Sequence, residues 1–412
     1  MSGLRSVEEQ LAHVLAAVRP TPPVRVPLRD AAGSTLHDAL TAQVDIPVFD
    51  NSAMDGFAVR HAEVADAAPE RPVHLTVVAD LPAGTELDPD LEAGQAARIM
   101  TGSPVPASAD AIVPFEDTAA GLADSLGEIA VLRAPQPAAH IRRRGADLRA
   151  GEEVIAAGTL LTPLQLSAAA AAGIAEAVVA RRPRVAVVAT GSELVPPGQP
   201  LRRGQIPESN SELLAGLVRD AGAAVVLRET VDDTDAAFLA VLAAAAEAGA
   251  EVVVTSGGVS EGAFEVVKNV LSGSDVAFTK VSMQPGKPQG FGRLADGALL
   301  FGLPGNPVSS AVSFEVFVRP ALLRMQGRTR IHRPVLRLPA AIGWRTPPGR
   351  RQYLPAAIDQ SDPARWTVRP ATAGGSGSHL AGGLARAEAY AVVPAEVGEV
   401  AAGDPVDVML VS

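Results

Sequence analysis

The chain has 412 residues, enough for three or four domains, and 47% are hydrophobic although only 3% are aromatic. Its cores must therefore be packed from Val, Leu and Ala. It has no cysteine, which excludes a disulfide framework, a thiolate nucleophile and cysteine-ligated zinc or iron–sulfur sites. The net charge of −11 speaks against non-specific nucleic-acid binding. The N-terminus carries acid without an apolar signal core, and no stretch is apolar enough to span a bilayer. A cytoplasmic protein with no nucleic-acid or membrane partner is expected.

Ser6-Val7-Glu8-Glu9 is a capping box. Val7, Leu11, Val14, Leu15 and Val18 then form one apolar face that must dock on something. Prolines 20, 22, 23 and 27 end this helix and force an extended run. Between Asp45 and Val59, Asn51-Ser52 and Asp55-Gly56 are turn pairs; the loop is either a plain surface turn or a cluster of functional polar groups. Residues 73–78, 96–100 and 129–132 read as short strands, and Thr101-Gly102-Ser103-Pro104-Val105-Pro106 as a rigid loop. Thr162-Pro163-Leu164-Gln165 is a second capping box with proline at the first helical position, and Gly173 suits the helix end.

From Pro183 the pattern changes to apolar strands alternating with helices. Strands are expected at Val185–Thr190, Ala223–Leu227, Val252–Thr255, Val276–Met283 and Ala298–Leu303. Ser209–Ser211 and Asp232–Asp235 are expected to cap two helices, the second with Phe238, Leu239 and Leu242 on one face. Asn306-Pro307 opens a long helix. Such alternation means a doubly wound, mainly parallel sheet, in which ligands bind beyond the carboxyl ends of the strands. Thr190–Glu193, Asp232-Asp233, Gly257–Ser260 and Gly302–Asn306 all fall there. From Ile331 onward, short strands at 335–338, 366–369, 391–393 and 406–410 predict a small β domain. Arg350-Arg351-Gln352-Tyr353 and the glycine-rich 374–379 stretch stand out within it; the latter reads equally as a linker or as a binding loop.

The Val252–Thr255 strand ends in Ser256-Gly257-Gly258 and runs on through Ser260 toward a helix bearing Phe264, Val267 and Leu271. This is either a tight βα turn or a phosphate cradle built of backbone N–H groups. Glu265 would sit in the first turn of that helix, where a carboxylate beside an anion makes sense if a cation bridges them. The basic residues add weight to the cradle. Of 35 Lys plus Arg, only Lys268, Lys280 and Lys287 are lysine, all just after this loop. Lys287, bracketed by Pro285-Gly286 and Pro288, suits a point contact to an anion; Lys268 reads as a solvated helix residue.

Six stretches in this order make the chain resemble the molybdopterin molybdenumtransferases (molybdenum insertases), relatives of the C-terminal domain of gephyrin. They are Asn51–Gly56, Thr101–Pro106, Thr190–Leu194, Ser256–Ser260, Pro285–Pro288 and Gly302–Ser309. The resemblance implies an elongated multidomain α/β protein forming a homodimer. Its parts would be a discontinuous N-terminal helical and linker domain (1–45 and 141–182), a β-rich domain (46–140), an α/β molybdopterin-binding domain (183–327) and a C-terminal β barrel (328–412). It implies insertion of molybdate into adenylylated molybdopterin with release of AMP and dependence on Mg²⁺. A molybdopterin adenylyltransferase would be the partner supplying the substrate.

By the same resemblance Glu193, Asp233 and Glu265 are the metal carboxylates. Gly257, Gly258, Ser260, Lys280, Lys287, Pro288, Pro304, Asn306, Arg350 and Ser378 would contact substrate, and Asp55, Thr101 and Asp147 would reach a cleft in the dimer. Three positions depart from the family pattern. Gln284 stands where many relatives carry lysine, Glu265 where aspartate is frequent, and Ser192 in place of a frequent aspartate. Two other readings fit parts of the pattern, an adenylyltransferase sharing the α/β domain and a gephyrin-like scaffold. The flanking domains and the Arg350 and Ser378 loops argue against the first, and no residue speaks for the second.

Overall fold

The computed structural model describes residues 4–123, 125–259, 266–372 and 381–411. The chain opens with α1 (Val7–Ala17), whose capping box forms as expected: Glu9 N–H donates to Ser6 Oγ at 3.0 Å and Ser6 N–H to the Glu9 carboxylate at 2.8 Å. Its apolar face is covered within the chain. Val7 and Val14 belong to the same buried cluster as Phe317, Leu322 and Met325 of the α/β unit. The prolines that follow leave β1 (Pro23–Pro27), which pairs antiparallel with a strand far along the chain.

A five-stranded sheet comes next, from β2 (Gly56–Val59), β3 (Val73–Leu81), β4 (Gln95–Ile99), β5 (Ala111–Pro114) and β6 (Glu128–Val131), in the order β5-β2-β4-β3-β6. β5 was not expected as a strand. It is a four-residue segment buried at every position, too short to show a periodicity. The chain then returns through α2 (Pro163–Ala171) to β7 (Glu176–Ala180), the partner of β1.

The α/β unit contains β8 (Arg184–Thr190), α3 (Asn210–Asp220), β9 (Ala224–Val231), α4 (Asp235–Glu247), β10 (Val252–Ser256), α5 (Val266–Val270), β11 (Val276–Lys280), β12 (Met283–Gln284), β13 (Pro288–Arg293) and β14 (Leu299–Leu303). It closes with α6 (Pro307–Ser313), a π-helical turn (Phe314–Val318) and α7 (Arg319–Met325). The sheet order is β9-β8-β10-β14-β13-β11, parallel from β9 to β14, with β13 antiparallel to both neighbours. Because each strand alternates its side chains between two faces, Val185, Val187, Val252, Val254 and Phe301 fill one core. Ala186, Val188, Val253 and Leu300 fill the other, against Phe238, Val241 and Ala245 of α4.

Three expectations for this unit are corrected. The Val276–Met283 strand breaks at Val281-Ser282, and Met283-Gln284 leaves the sheet. Leu239 is exposed, since Val241 and Ala245 take the inner face of α4 with Phe238. The N-cap of α3 is Ser209, but its side chain makes no cap bond; the Glu208 carboxylate instead accepts from Ser211 N–H at 2.8 Å.

The C-terminal strands are β15 (Val335–Pro339), β16 (Arg351–Asp359), β17 (Thr367–Pro370), β18 (Ala389–Val393) and β19 (Pro405–Leu410). They pair as β16-β18-β19-β15, with β17 on the other side of β16. A bridge between Ala340 and Val368, with Ala341 N–H donating to the Val368 carbonyl at 2.8 Å, joins the two ends into a barrel. No helix among the described residues is long and apolar enough to cross a membrane.

Glu315 holds the α/β unit to the segment leading into the barrel. It lies in the π-helical turn with its side chain only 2% exposed. Arg333 donates to its two carboxylate oxygens at 2.9 and 3.0 Å, and Arg319 is 3.8 Å away. Burial, with the Arg333 charge beside it, pulls the Arg319 guanidinium down to about 10. Glu315→Ala would leave two poorly solvated cations facing each other. The expected cost is about 3–5 kcal/mol of stability, read as a lower urea midpoint; an unchanged midpoint would show that the pair is not needed.

Candidate functional site

A cavity of about 690 Å³ opens beyond the carboxyl ends of the parallel strands. Thr190, Gly191 and Glu193 enter it after β8, Asp233 after β9, Ser256 to Val259 after β10, and Pro304 to Asn306 after β14. Gln284, Pro285, Gly286, Lys287 and Pro288 form a further wall. Each contributor follows a strand, as a doubly wound sheet requires.

The glycine loop after β10 is shaped by its underside. Gly257 has φ +101°, and a Cβ there would lie 2.5 Å from the Thr190 carbonyl oxygen and 2.7 Å from its hydroxyl. Only glycine fits this approach. The Gly257 N–H is used within the protein, donating to the Leu303 carbonyl at 3.0 Å. The expected cradle is therefore narrower than the whole loop: Gly258 and Val259 N–H donate to nothing among the described residues. Ser260 and Glu265 lie outside the described residues.

Behind the loop runs a hydrogen-bond chain that the sequence did not reveal. Ser310 Oγ donates to the Pro304 carbonyl at 2.6 Å, so its 3.2 Å contact with Ser256 Oγ takes the Ser256 proton. Ser256 Oγ then accepts from Asn210 Nδ2 at 2.6 Å, and the same Nδ2 donates to the Gly305 carbonyl at 2.6 Å. Every proton is assigned, so the Asn210 amide can point only one way. Its Oδ1, and Thr190 Oγ1, are buried without a partner. In sequence Asn210 reads as part of a helix cap. The signal that could have marked it is its position at the end of a polar loop, in the carboxyl-end layer of the sheet.

Two acids line the cavity. Asp233 Oδ2 accepts from Ser192 N–H at 2.9 Å, and Asp233 N–H donates back to Ser192 Oγ at 3.2 Å. This reciprocal pair pins the two loops together. Thr234 Oγ1 takes the capping role for α4, accepting from Ala237 N–H, which leaves Asp233 to face the cavity. Glu193 has no partner for its carboxylate among the described residues. No cluster of three acid or imidazole ligands exists among the described residues.

The Lys287 loop is held from two sides. Below it, the buried Gln289 amide donates to the Gly286 carbonyl at 2.6 Å and to Ser313 Oγ at 2.7 Å, and Val281 N–H donates to the Lys287 carbonyl at 2.7 Å. Beside it, Met283-Gln284 pairs in parallel with Arg351-Gln352 at the start of β16. The N-terminal segment braces this junction: Arg5 N–H donates to the Lys280 carbonyl at 3.0 Å, Ser282 N–H to the Arg5 carbonyl at 2.8 Å, and Glu8 pairs with Arg351. Arg350 Nη1 reaches Gln284 Oε1 at 2.7 Å. A positive charge is thus present one side chain away from Gln284.

The other expected residues divide. Lys280 sits opposite Pro288 in register but does not line the cavity, and neither does Lys268 on α5. Asp55 and Thr101 meet, Thr101 N–H and Oγ1 donating to Asp55 Oδ1 at 2.7 and 2.8 Å, which holds the Asp55 carboxyl below the usual range. They and Asp147 belong to the N-terminal half and do not line this cavity. Ser378 lies outside the described residues.

Family comparisons agree with this architecture. Residues 5–173 match the MoeA N-terminal region (domain I and II), 186–324 a probable molybdopterin binding domain, and 337–411 the MoeA C-terminal region (domain IV). The α/β unit is thus the part that matches that domain, framed by two MoeA-specific regions. Molybdopterin molybdenumtransferase 2 of Mycobacterium tuberculosis is 45% identical over 412 residues, 98% of this chain and 99% of the relative. The Haemophilus influenzae molybdopterin molybdenumtransferase is 33% identical, covering 94% of each chain. The molybdopterin biosynthesis MoeA protein of Pyrococcus horikoshii OT3 superposes with a TM-score of 0.84 at 26% identity, over 99% of this chain and 100% of that one. The chain belongs to the molybdopterin molybdenumtransferase (MoeA) family, transferases of molybdenum cofactor biosynthesis.

Proposed function

We propose that the cavity binds adenylylated molybdopterin and molybdate, and that the protein inserts the metal into the pterin as AMP leaves. The observation that carries this is the convergence, at the ends of one parallel sheet, of unbonded backbone donors at Gly258 and Val259, the Lys287 ammonium, and two carboxylates. A phosphoanhydride between two organic groups needs donors along its oxygens and a cation against its charge. Pro288, Pro304 and Asn306 line the same space and shape it around the ligand.

Glu193 and Asp233 fit a magnesium ion. Mg²⁺ is usually held by one or two carboxylates together with substrate phosphates and water, and both acids line the cavity without a basic partner among the described residues. Glu265 would be the third carboxylate. When bound, the ion would neutralise charge developing on the phosphate oxygens. The protein's own residues do the rest: the glycine loop and Lys287 hold the anionic groups, and Ser192 fixes the Asp233 loop. Asp233→Asn and Glu193→Gln should each raise the Mg²⁺ needed for half-maximal binding of adenylylated molybdopterin by at least about tenfold. Wild-type magnesium titrations in both variants would remove the metal assignment.

The working unit in this reading is a homodimer in the cytoplasm, supplied with substrate by a molybdopterin adenylyltransferase. The α1 face is spent within the chain, so its apolar pattern does not support the dimer. The loop carrying Asp55 does: Val44, Val48, Phe49 and Met54 are all exposed on it, an apolar surface that a second copy would cover. Asp55, Thr101 and Asp147 would then act at a cleft between copies, and Arg350 and Ser378 would contact molybdate. Light scattering that gives a monomer mass at micromolar concentration would refute the dimer.

A further inference from the structure

Asn210 opens α3 but spends its side chain outside that helix. The cap of α3 does not need it: the Glu208 carboxylate accepts from Ser211 N–H at 2.8 Å and from Ser211 Oγ at 2.6 Å. The Asn210 amide donates instead to the Gly305 carbonyl and to Ser256 Oγ, both at 2.6 Å. Ser310 Oγ, fully buried behind the loop, donates to the Pro304 carbonyl at 2.6 Å. The peptides on both sides of Gly305 are therefore held by side chains from other elements. Glycine restricts its own backbone least of all residues, so these two bonds set its direction.

Across a trans peptide the carbonyl and the N–H point opposite ways, and the Pro304–Gly305 peptide is trans. Its carbonyl is drawn toward the buried Ser310, so the Gly305 N–H points away from the core. Gly305 lines the cavity, and its N–H donates to nothing among the described residues. A Cβ on Gly305 would lie 3.5 Å from Gly257 Cα. The Gly305 donor thus stands beside the loop that carries the Gly258 and Val259 donors.

We propose that Asn210 is a positioning residue for substrate: with Ser310 it fixes Gly305 so that the Gly305 N–H joins those of Gly258 and Val259 as a third donor to the anionic bridge of the substrate. This rests on the reading of the glycine loop as an anion cradle. Three donors from two loops surround an anion on two sides, whereas one loop alone meets it from below. Without the Asn210 bond the Gly305 peptide is free to turn its carbonyl toward the cavity, and an acceptor would then face the anion.

Asn210→Asp tests this with a side chain of the same shape. A carboxylate at 210 repels the Gly305 carbonyl, whereas the protonated acid donates to it. The Glu208, Glu193 and Asp233 carboxylates line the same cavity and, with burial, push a carboxyl there above the ordinary range. AMP release from adenylylated molybdopterin by the full chain, with molybdate and Mg²⁺, is followed between about pH 6 and about pH 8. At the upper end kcat/KM is expected to fall between about 10-fold and about 100-fold below wild type. The ratio of variant to wild type should then rise at least about threefold toward the lower end. Ser310→Ala should show a similar loss without that pH dependence, because it introduces no titrating group.

Asn210→Asp matching wild type at about pH 8, or losing activity by a ratio that does not change with pH, overturns the proposal. If that variant does not fold, Asn210→Ala and Ser310→Ala decide: together they should cost little more than the larger single loss, since both act through Gly305, and full additivity overturns the proposal. A wild-type protein that releases no AMP from this substrate overturns the reading of the cavity itself, and the proposal with it.

Discussion

Gly257→Ala is expected to lower turnover by more than about 100-fold. The new Cβ would meet the Thr190 carbonyl oxygen at 2.5 Å, and Thr190 ends a strand buried at six of its seven positions. The strand cannot yield, so the loop must. Gly257 also carries the N–H bond to Leu303 that sets the loop's height above the sheet, and its φ of +101° disfavours any side chain. A displacement of about 1 Å in a group that positions substrate costs on the order of 100-fold, and the backbone strain adds about 1–3 kcal/mol of destabilisation. Gly216→Ala is the control. Gly216 lies inside α3 with open space around it, and alanine there should hold or raise stability by about 0.5–1 kcal/mol. Equal activity in both variants would show that the glycine loop does not contact substrate.

Lys287→Ala should cost between about 100-fold and about 1,000-fold in turnover, the range for removing a preorganised donor from a charge-stabilising site. Lys287→Arg should cost nearly as much. The loop around Lys287 is fixed by Gln289 and Val281, and the side chain is half-buried on the cavity wall with no acid partner among the described residues. A compact ammonium in such a place can meet one tetrahedral oxygen; a planar guanidinium fork needs more width. Lys268→Arg should be silent, because Lys268 lies on α5 outside the cavity. If Lys287→Arg matches wild type in a molybdate titration, the lysine clustering carries no functional meaning.

What the sequence discloses follows from which constraints are local. The parallel strands are buried on both faces, so Val185–Thr190 and Val252–Thr255 read as unbroken apolar runs, and the polar residues that follow them must face the ligand layer. β13 stays hidden because Pro288-Gln289-Gly290-Phe291-Gly292-Arg293 has neither β-branched residues nor alternation. Its glycines serve close packing: a Cβ on Gly292 would lie 2.1 Å from the Asp275 carbonyl oxygen. β16 contains Pro355 and begins with arginine, so it reads as a functional loop, although it is one of the two longest strands described.

The site divides in the same way. Glu193, Asp233, Gly258 and Lys287 are placed by the strand each one follows. The Gln284–Arg350 contact joins residues 66 apart and exists only because β12 leaves its own sheet to pair with the barrel. The Asn210–Ser256–Ser310 chain likewise depends on three elements converging. No periodicity or spacing encodes either.

The most direct test of the account is AMP release from adenylylated molybdopterin by the purified full-length chain in the presence of Mg²⁺, with and without molybdate. The account predicts that AMP appears only when molybdate is added, one equivalent per molybdenum retained on the pterin, and that Lys287→Ala weakens this response by at least about 100-fold. AMP release at the same rate without molybdate, or none with it, would contradict the assignment of this cavity to metal insertion.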